Sequence, residues 1–215
     1  MMASANRVPP YGHHSRQYLD RARKRLEEGA AESLFYAALE IRFGVEARMK
    51  EYLSVQDHIS RAKKKDWEVA KLGESIQTAF KTGDKVAKFS VRHRETNEVL
   101  SILLYTPVTQ KLQTMAKRLG KYLHSPAPDD QLSEQWWSDF RVVLESTWRE
   151  FKKATSGQLL GVPLIHKQTR ELKMTVQFEH DEDTRACLQR IRVAGDQVIL
   201  KVEYLEELPD IQALH

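Results

Sequence analysis

One cysteine, Cys187, is present in the whole chain, so no intramolecular disulfide and no cysteine-built zinc cluster can form, which fits a reducing compartment. Long hydrophobic runs are missing as well. The longest apolar stretch, residues 99–108, is short and interrupted, and a membrane-spanning helix needs roughly 20 apolar residues. The first fifteen residues carry Pro9, Pro10, Gly12, His13 and His14 but no apolar core of the kind an export signal has. A cytoplasmic protein without membrane attachment is expected. There is no glycine-rich phosphate loop, no nucleophile elbow and no His-Glu-x-x-His pair. The eight histidines are scattered, and the closest pair lies in the first residues. No metal site and no cofactor are expected. A dominant charge sign is also lacking: 34 Lys and Arg face 30 Asp and Glu, a net of +4. With so small an excess, clustering of the basic residues decides more than their total.

What is present is a composition that folds, 41% hydrophobic and 30% charged. Residues 15–28 read as a helix that Gly29 ends. Residues 30–53 carry Leu34, Ala38, Ile41, Val45, Met49 and Tyr52 at alternating steps of three and four, the spacing of one helix face. Phe35, Tyr36, Leu39 and Phe43 widen that face, so this helix should be central in a bundle. A third helix is expected over 58–80. Residues 86–93 and 99–106 then read as two strands of a hairpin around a turn at 94–98.

Val108, Leu112, Met115, Leu119 and Tyr122 give another helical stripe ending near His124. After a proline-rich loop at 125–130, Asp129 or Asp130 is in place to cap a helix whose face runs through Leu132, Trp136, Phe140, Val143, Thr147 and Phe151. Strand alternation follows at 172–178 and 198–204, with Ile191 and Val193 before a turn at Gly195. The fold class is therefore α+β: a helical bundle over 15–155, interrupted by a β-hairpin at about 86–106 and followed by a small antiparallel sheet. That sheet belongs to a β-rich module over 156–208, and residues 1–14 and 209–215 read as flexible tails. Whether the hairpin joins the C-terminal sheet stays open.

Basic residues gather around Arg23 and Lys24, at Lys63, Lys64 and Lys65, and at Arg92 and Arg94 on either side of His93. Each group is a candidate phosphate contact or an ordinary solvated face. Arg42 falls toward the apolar side of the central helix, where an unpaired charge is expensive. Glu46, one turn later, is its expected ion-pair partner, as a helix-orienting pair or as part of a cleft.

The segment Arg118-Leu119-Gly120-Lys121-Tyr122-Leu123-His124 places an arginine and a histidine five residues apart at the end of a helix. It resembles the HEPN motif. HEPN domains are small helical bundles common in bacterial toxin and antiviral systems, and many are metal-independent RNases. The resemblance implies that His124 acts as acid or base on the ribose 2′-hydroxyl or leaving oxygen, that Arg118 steadies the phosphate, and that a homodimer completes the site. Imidazoles titrate near neutral pH and guanidiniums hold phosphates through paired donors. In an unbroken helix, six steps of about 100° leave the two side chains about 120° apart, so a bend at Gly120, fraying at His124 or a second subunit is needed to join them. Three classes remain open: a HEPN-like RNase acting on RNA, a non-catalytic module that binds a partner protein, and a nucleic-acid-binding module without catalysis.

Overall fold

The computed structural model describes residues 11–56, 60, 69–124, 133–165, 172–176, 182–195 and 197–210. In chain order the elements are α1 (Ser15–Glu28), α2 (Ala31–Ser54), α3 (Val69–Phe80), β1 (Val86–His93), β2 (Val99–Tyr105), α4 (Gln110–Leu123), α5 (Glu134–Thr155), β3 (Leu164–Ile165), β4 (Leu172–Lys173), α6 (Glu182–Ala194) and β5 (Val198–Leu205). The class is α+β, as the sequence indicates. Among the described residues no helix is long and apolar enough to cross a membrane.

The widest apolar face of the sequence becomes the centre of the molecule. Helix α2 buries Leu34, Ala38, Ile41, Val45, Met49 and Tyr52 and packs against α1, α3, α4 and α5. Gly44 lets α5 approach, because a Cβ there would collide with the Phe151 ring. A second aromatic layer joins three helices: Phe35 of α2, Tyr122 of α4, and Trp136 and Phe140 of α5. The Tyr122 and Phe140 rings stack at 4.7 Å, and Phe35 meets Phe140 at 5.4 Å.

The helix boundaries follow local chemistry. Gly29 ends α1 in the left-handed region, φ 71°, which only glycine adopts without strain. The Thr109 side chain accepts a hydrogen bond from the Leu112 amide and starts α4. At the head of α5 the cap is Ser133, whose Oγ accepts from the Trp136 amide at 3.0 Å. Asp129, Asp130 and Leu132 lie outside the described residues, as do residues 58, 59 and 61–68 of the expected third helix.

Strand β1 pairs antiparallel with β2 and, on its other side, with β5, giving the order β2-β1-β5. The hairpin and the last strand thus form one sheet, with Phe89 opposite Leu103 on one side and Val202 on the other. Two expectations for the C-terminal part need correction. Ile191 and Val193 lie in helix α6, not in a strand, because two alternating residues cannot be told from one flank of a helix. The alternation at 172–178 yields only β4 and an isolated bridge from Val176 to Leu159, and Gln177 and Phe178 lie outside the described residues.

The most unusual core residue is Arg48, whose side chain is fully buried. Its Nε donates to Tyr52 Oη at 2.9 Å and to the Ala154 carbonyl at 3.1 Å, Nη2 to the Gly157 carbonyl at 2.8 Å, and Nη1 to Glu51 Oε2 at 3.1 Å. Tyr52 Oη donates in turn to the Thr106 carbonyl. Arg16 adds bonds to the Thr155 and Gly157 carbonyls at 3.2 and 3.3 Å. The last carbonyls of α5 have no partners within their own helix, and two guanidiniums supply them at the negative end of the helix dipole. Burial alone would lower the Arg48 pKa, but Tyr52 and Glu51 outweigh it and the net shift is upward.

Candidate nucleic-acid interface

Helix α4 holds Lys111, Lys117, Arg118 and Lys121 and no carboxylate. Lys111 is neutralised from α5 by Glu150, at 3.0 Å. Lys117, Arg118 and Lys121 are exposed, and no carboxylate among the described residues is within ion-pair distance of them. Elsewhere cations are commonly paired: Arg21 with Glu40 at 2.9 Å, Arg25 with Glu28 at 3.0 Å, Lys153 with Glu150 at 3.1 Å. Three exposed cations without an ion-pair partner among the described residues therefore lie on the second half of α4.

The helix continues through Gly120 to Leu123, and His124 follows as its C-cap with extended backbone, φ −77° and ψ 153°. The helix runs through Gly120 without a break. At about 100° per residue Arg118 and His124 stand about 120° apart, and the arc between them is filled by Thr114, Lys121 and Lys117, with Gly120 just beyond His124. Arg118 and His124 are the two edges of one exposed stripe.

Arg42 enters that stripe from α2. Its Nη1 lies 3.4 Å from the position a Cβ on Gly120 would occupy, so the guanidinium rests over the residue beside His124. The expected Arg42–Glu46 ion pair is not formed. Instead Arg42 reaches across to another helix, where the small residue at 120 leaves room for it. Burial pushes the Glu46 carboxyl above its usual range, against the attraction of Lys50 and Arg42.

Close spacing of Lys117 and Lys121 costs the helix a few tenths of a kcal/mol, about 0.2–0.5, which the negative C-terminal end of the helix dipole partly offsets. What the stripe can do is hold anions. Three exposed ammonium or guanidinium groups and one half-buried guanidinium share this surface with an imidazole, groups that bind phosphodiesters and move protons on them.

The other basic residues singled out from the sequence sit on different elements. Arg23 on α1 is 3.8 Å from Glu27, and Lys24 beside it is exposed. At the hairpin tip, the Arg92 Nη1 donates to the Asn97 carbonyl at 3.1 Å, while Arg94 is exposed with its amide bonded to the Gln197 carbonyl. Lys63, Lys64 and Lys65 lie outside the described residues. Lys117 and Lys121 belong to no motif, and the signal that marks them in the sequence is a helix of four cations without an acid.

A groove of about 540 Å³ between the start of α1 and one face of α2 is lined by His13, His14, Tyr18, Phe43, Glu46 and Lys50. Next to it Arg21 stacks between Tyr11 and Tyr18, at 4.0 and 4.5 Å, and Tyr11 Oη donates to Glu40 at 2.7 Å. Glu51 is held at the groove by the Ser15 amide and hydroxyl at 2.7 and 2.8 Å, with His14 Nδ1 at 3.8 Å. Two carboxylates make the groove a poor seat for phosphate, so it is not an extension of the stripe.

No known protein family, curated protein or solved structure matches this chain.

Proposed function

We propose that the exposed stripe of α4, with Arg42, binds the phosphodiester backbone of RNA and that His124 is the proton-transferring group of a metal-independent cleavage. The observation that carries this reading is that Lys117, Arg118 and Lys121 share one exposed stripe with His124, with Arg42 over Gly120, and that none of these cations has an ion-pair partner among the described residues. Electrostatic contacts of this kind supply most of sequence-independent nucleic-acid affinity.

In the cleavage step the neutral imidazole takes the proton of the ribose 2′-hydroxyl as the 2′-oxygen bonds to phosphorus. The bond from phosphorus to the 5′-oxygen breaks, that oxygen takes a proton from water, and the imidazolium returns its proton to the hydroxide so formed. The products are a 2′,3′-cyclic phosphate and a 5′-hydroxyl. Arg42, lying over Gly120 one turn before His124, neutralises the extra negative charge that develops on the phosphoryl oxygens, while Lys117, Arg118 and Lys121 hold phosphates further along the backbone. Recognition of the 2′-hydroxyl makes RNA the substrate, since DNA has no nucleophile at that position.

The test is incubation of the purified full chain with mixed cellular RNA in the presence of chelator. Wild type is expected to cleave, His124→Ala to retain RNA without cleaving it, and a Lys117→Ala, Arg118→Ala, Lys121→Ala triple variant to lose both. Retention of RNA unchanged in the triple variant overturns the interface. Uncleaved RNA bound by wild type overturns the catalytic role of His124.

A further inference from the structure

Strand β5 is the outer strand of its sheet, and among the described residues no segment pairs with its outer edge. Its inner edge pairs with all eight residues of β1, from Val86 opposite Leu205 to His93 opposite Val198, without a register shift. The opposite edge of the sheet is treated differently. Strand β2 pairs with β1 through a bulge at Val91 and Arg92, and its Leu104 is bonded on the far side by the Leu159 amide and the Gln158 side chain.

Natural sheet edges are normally blunted by proline, bulges or lone charges. In Val198–Leu205 there is no proline and no bulge. The one lysine, Lys201, is matched within the strand by Glu203 at 2.9 Å, and that contact, first among several, lowers the Glu203 pKa. The edge is apolar as well: Ile199, Leu200 and Tyr204 are 45, 50 and 50% exposed. Leu200, Val202 and Tyr204 stand opposite Val91, Phe89 and Ala87, core residues of the sheet, so the exposed face of β5 continues a core face outward.

We infer that β5 pairs with β5 of a second copy of this chain, antiparallel and about a two-fold axis at Val202, making one six-stranded sheet. The charge pattern selects the register. A two-fold perpendicular to the sheet keeps each face on its own side, so the axis must pass through a residue position. Two such positions give the greatest overlap of the strands, Lys201 and Val202. An axis at Lys201 sets two lysines against each other. An axis at Val202 sets Lys201 opposite the copy's Glu203 twice over, Leu200 opposite Tyr204 and Ile199 opposite Leu205. Opposite charges and large apolar residues directly across an antiparallel pair are the stabilising combinations, and like charges the destabilising ones. The interface is isologous and closed, so it ends at the dimer and does not grow into a fibre. It uses a face other than the basic stripe of α4 and stands without the reading proposed for that stripe.

Sedimentation equilibrium of the full chain over a wide concentration range tests this. Wild type is expected at twice the 25.0 kDa of one chain. Lys201→Glu places carboxylates opposite carboxylates and Glu203→Lys ammoniums opposite ammoniums, so each variant alone should dissociate at roughly tenfold higher concentration or more. An equimolar mixture of the two variants, and the double variant carrying both exchanges, should return to the wild-type dimer. Circular dichroism of each variant separates dissociation from unfolding, and the mixture distinguishes a lost interface from a lost fold. Wild type at the mass of one chain throughout, single variants that remain dimeric, or a mixture that stays monomeric would each overturn the pairing.

Discussion

Two helix C-termini in this protein attract arginines, and they do so to opposite ends. At the end of α5, Arg48 and Arg16 are drawn inward, and the carbonyls of Ala154, Thr155 and Gly157, Tyr52 Oη and the Glu51 carboxylate take up their donors. At the end of α4, Lys117, Arg118 and Lys121 stay exposed with no ion-pair partner among the described residues, and Arg42 lies over Gly120. Both ends satisfy the same preference of cations for the negative pole of a helix. A neutralised, fully bonded cation binds the fold together, whereas a cation left without a counter-charge keeps its donors for a ligand.

The contrast is broken most severely at Arg48. Arg48→Met leaves Glu51, Tyr52 and two carbonyls short of a donor, and removing one partner of a buried pair costs about 3–5 kcal/mol. For a chain of this size, chemical denaturation should read that loss directly, and the melting temperature should fall by roughly 10 °C. RNA retention by the remaining folded protein should not change.

The opposite pattern is expected at α4. Each of Lys117→Ala, Arg118→Ala and Lys121→Ala should lower the slope of log affinity against log salt by about 0.7 for single-stranded RNA. Stability should stay within about 0.5 kcal/mol of wild type. An affinity loss in the Arg48 variant, or a stability loss in these, would erase the distinction between the two ends.

Gly120→Ala gives a smaller effect in the stabilising direction. The added Cβ would meet Arg42 Nη1 at 3.4 Å, an ordinary contact, while replacing a helical glycine contributes roughly 0.5–1 kcal/mol. A higher denaturation midpoint is expected, and destabilisation would mean that Arg42 needs the open position.

The smallest effect is pH-dependent and belongs to Glu46. Burial raises its pKa above the ordinary 4.5, so the folded state holds the proton longer than the unfolded state does. Stability attributable to this group falls as pH rises through the window above 4.5. Glu46→Gln should therefore melt higher than wild type at pH 7 and lose that advantage as the pH drops to about 4, which paired thermal melts would reveal.

Much of this was legible from spacing. The core face of α2, the hairpin, the helix end at Gly29 and the α+β class follow from period and turn chemistry, which act over a few residues. Even Arg48 sits at a core position, three after Val45 and seven after Ile41. Periodicity marks it as facing inward without saying that it is bonded there, and Arg42 looked like the buried arginine instead. Arg118 and His124 are visible as a motif, whereas Lys117 and Lys121 belong to no motif and stand out only because α4 contains no acid.

By itself, then, the sequence determined the bundle helices, the hairpin and β5 and which of their faces are apolar, though not α6, because those properties depend on neighbours one turn away. Tertiary structure decided which charges are neutralised and which strands meet. The partner of Arg48 lies 106 residues along the chain at Ala154, the room for Arg42 is left by a glycine on another helix, and β5 returns to pair with β1 across the whole of α4, α5 and α6. Neutralisation and strand pairing depend on groups that only folding brings within a few ångströms, and no local pattern records them.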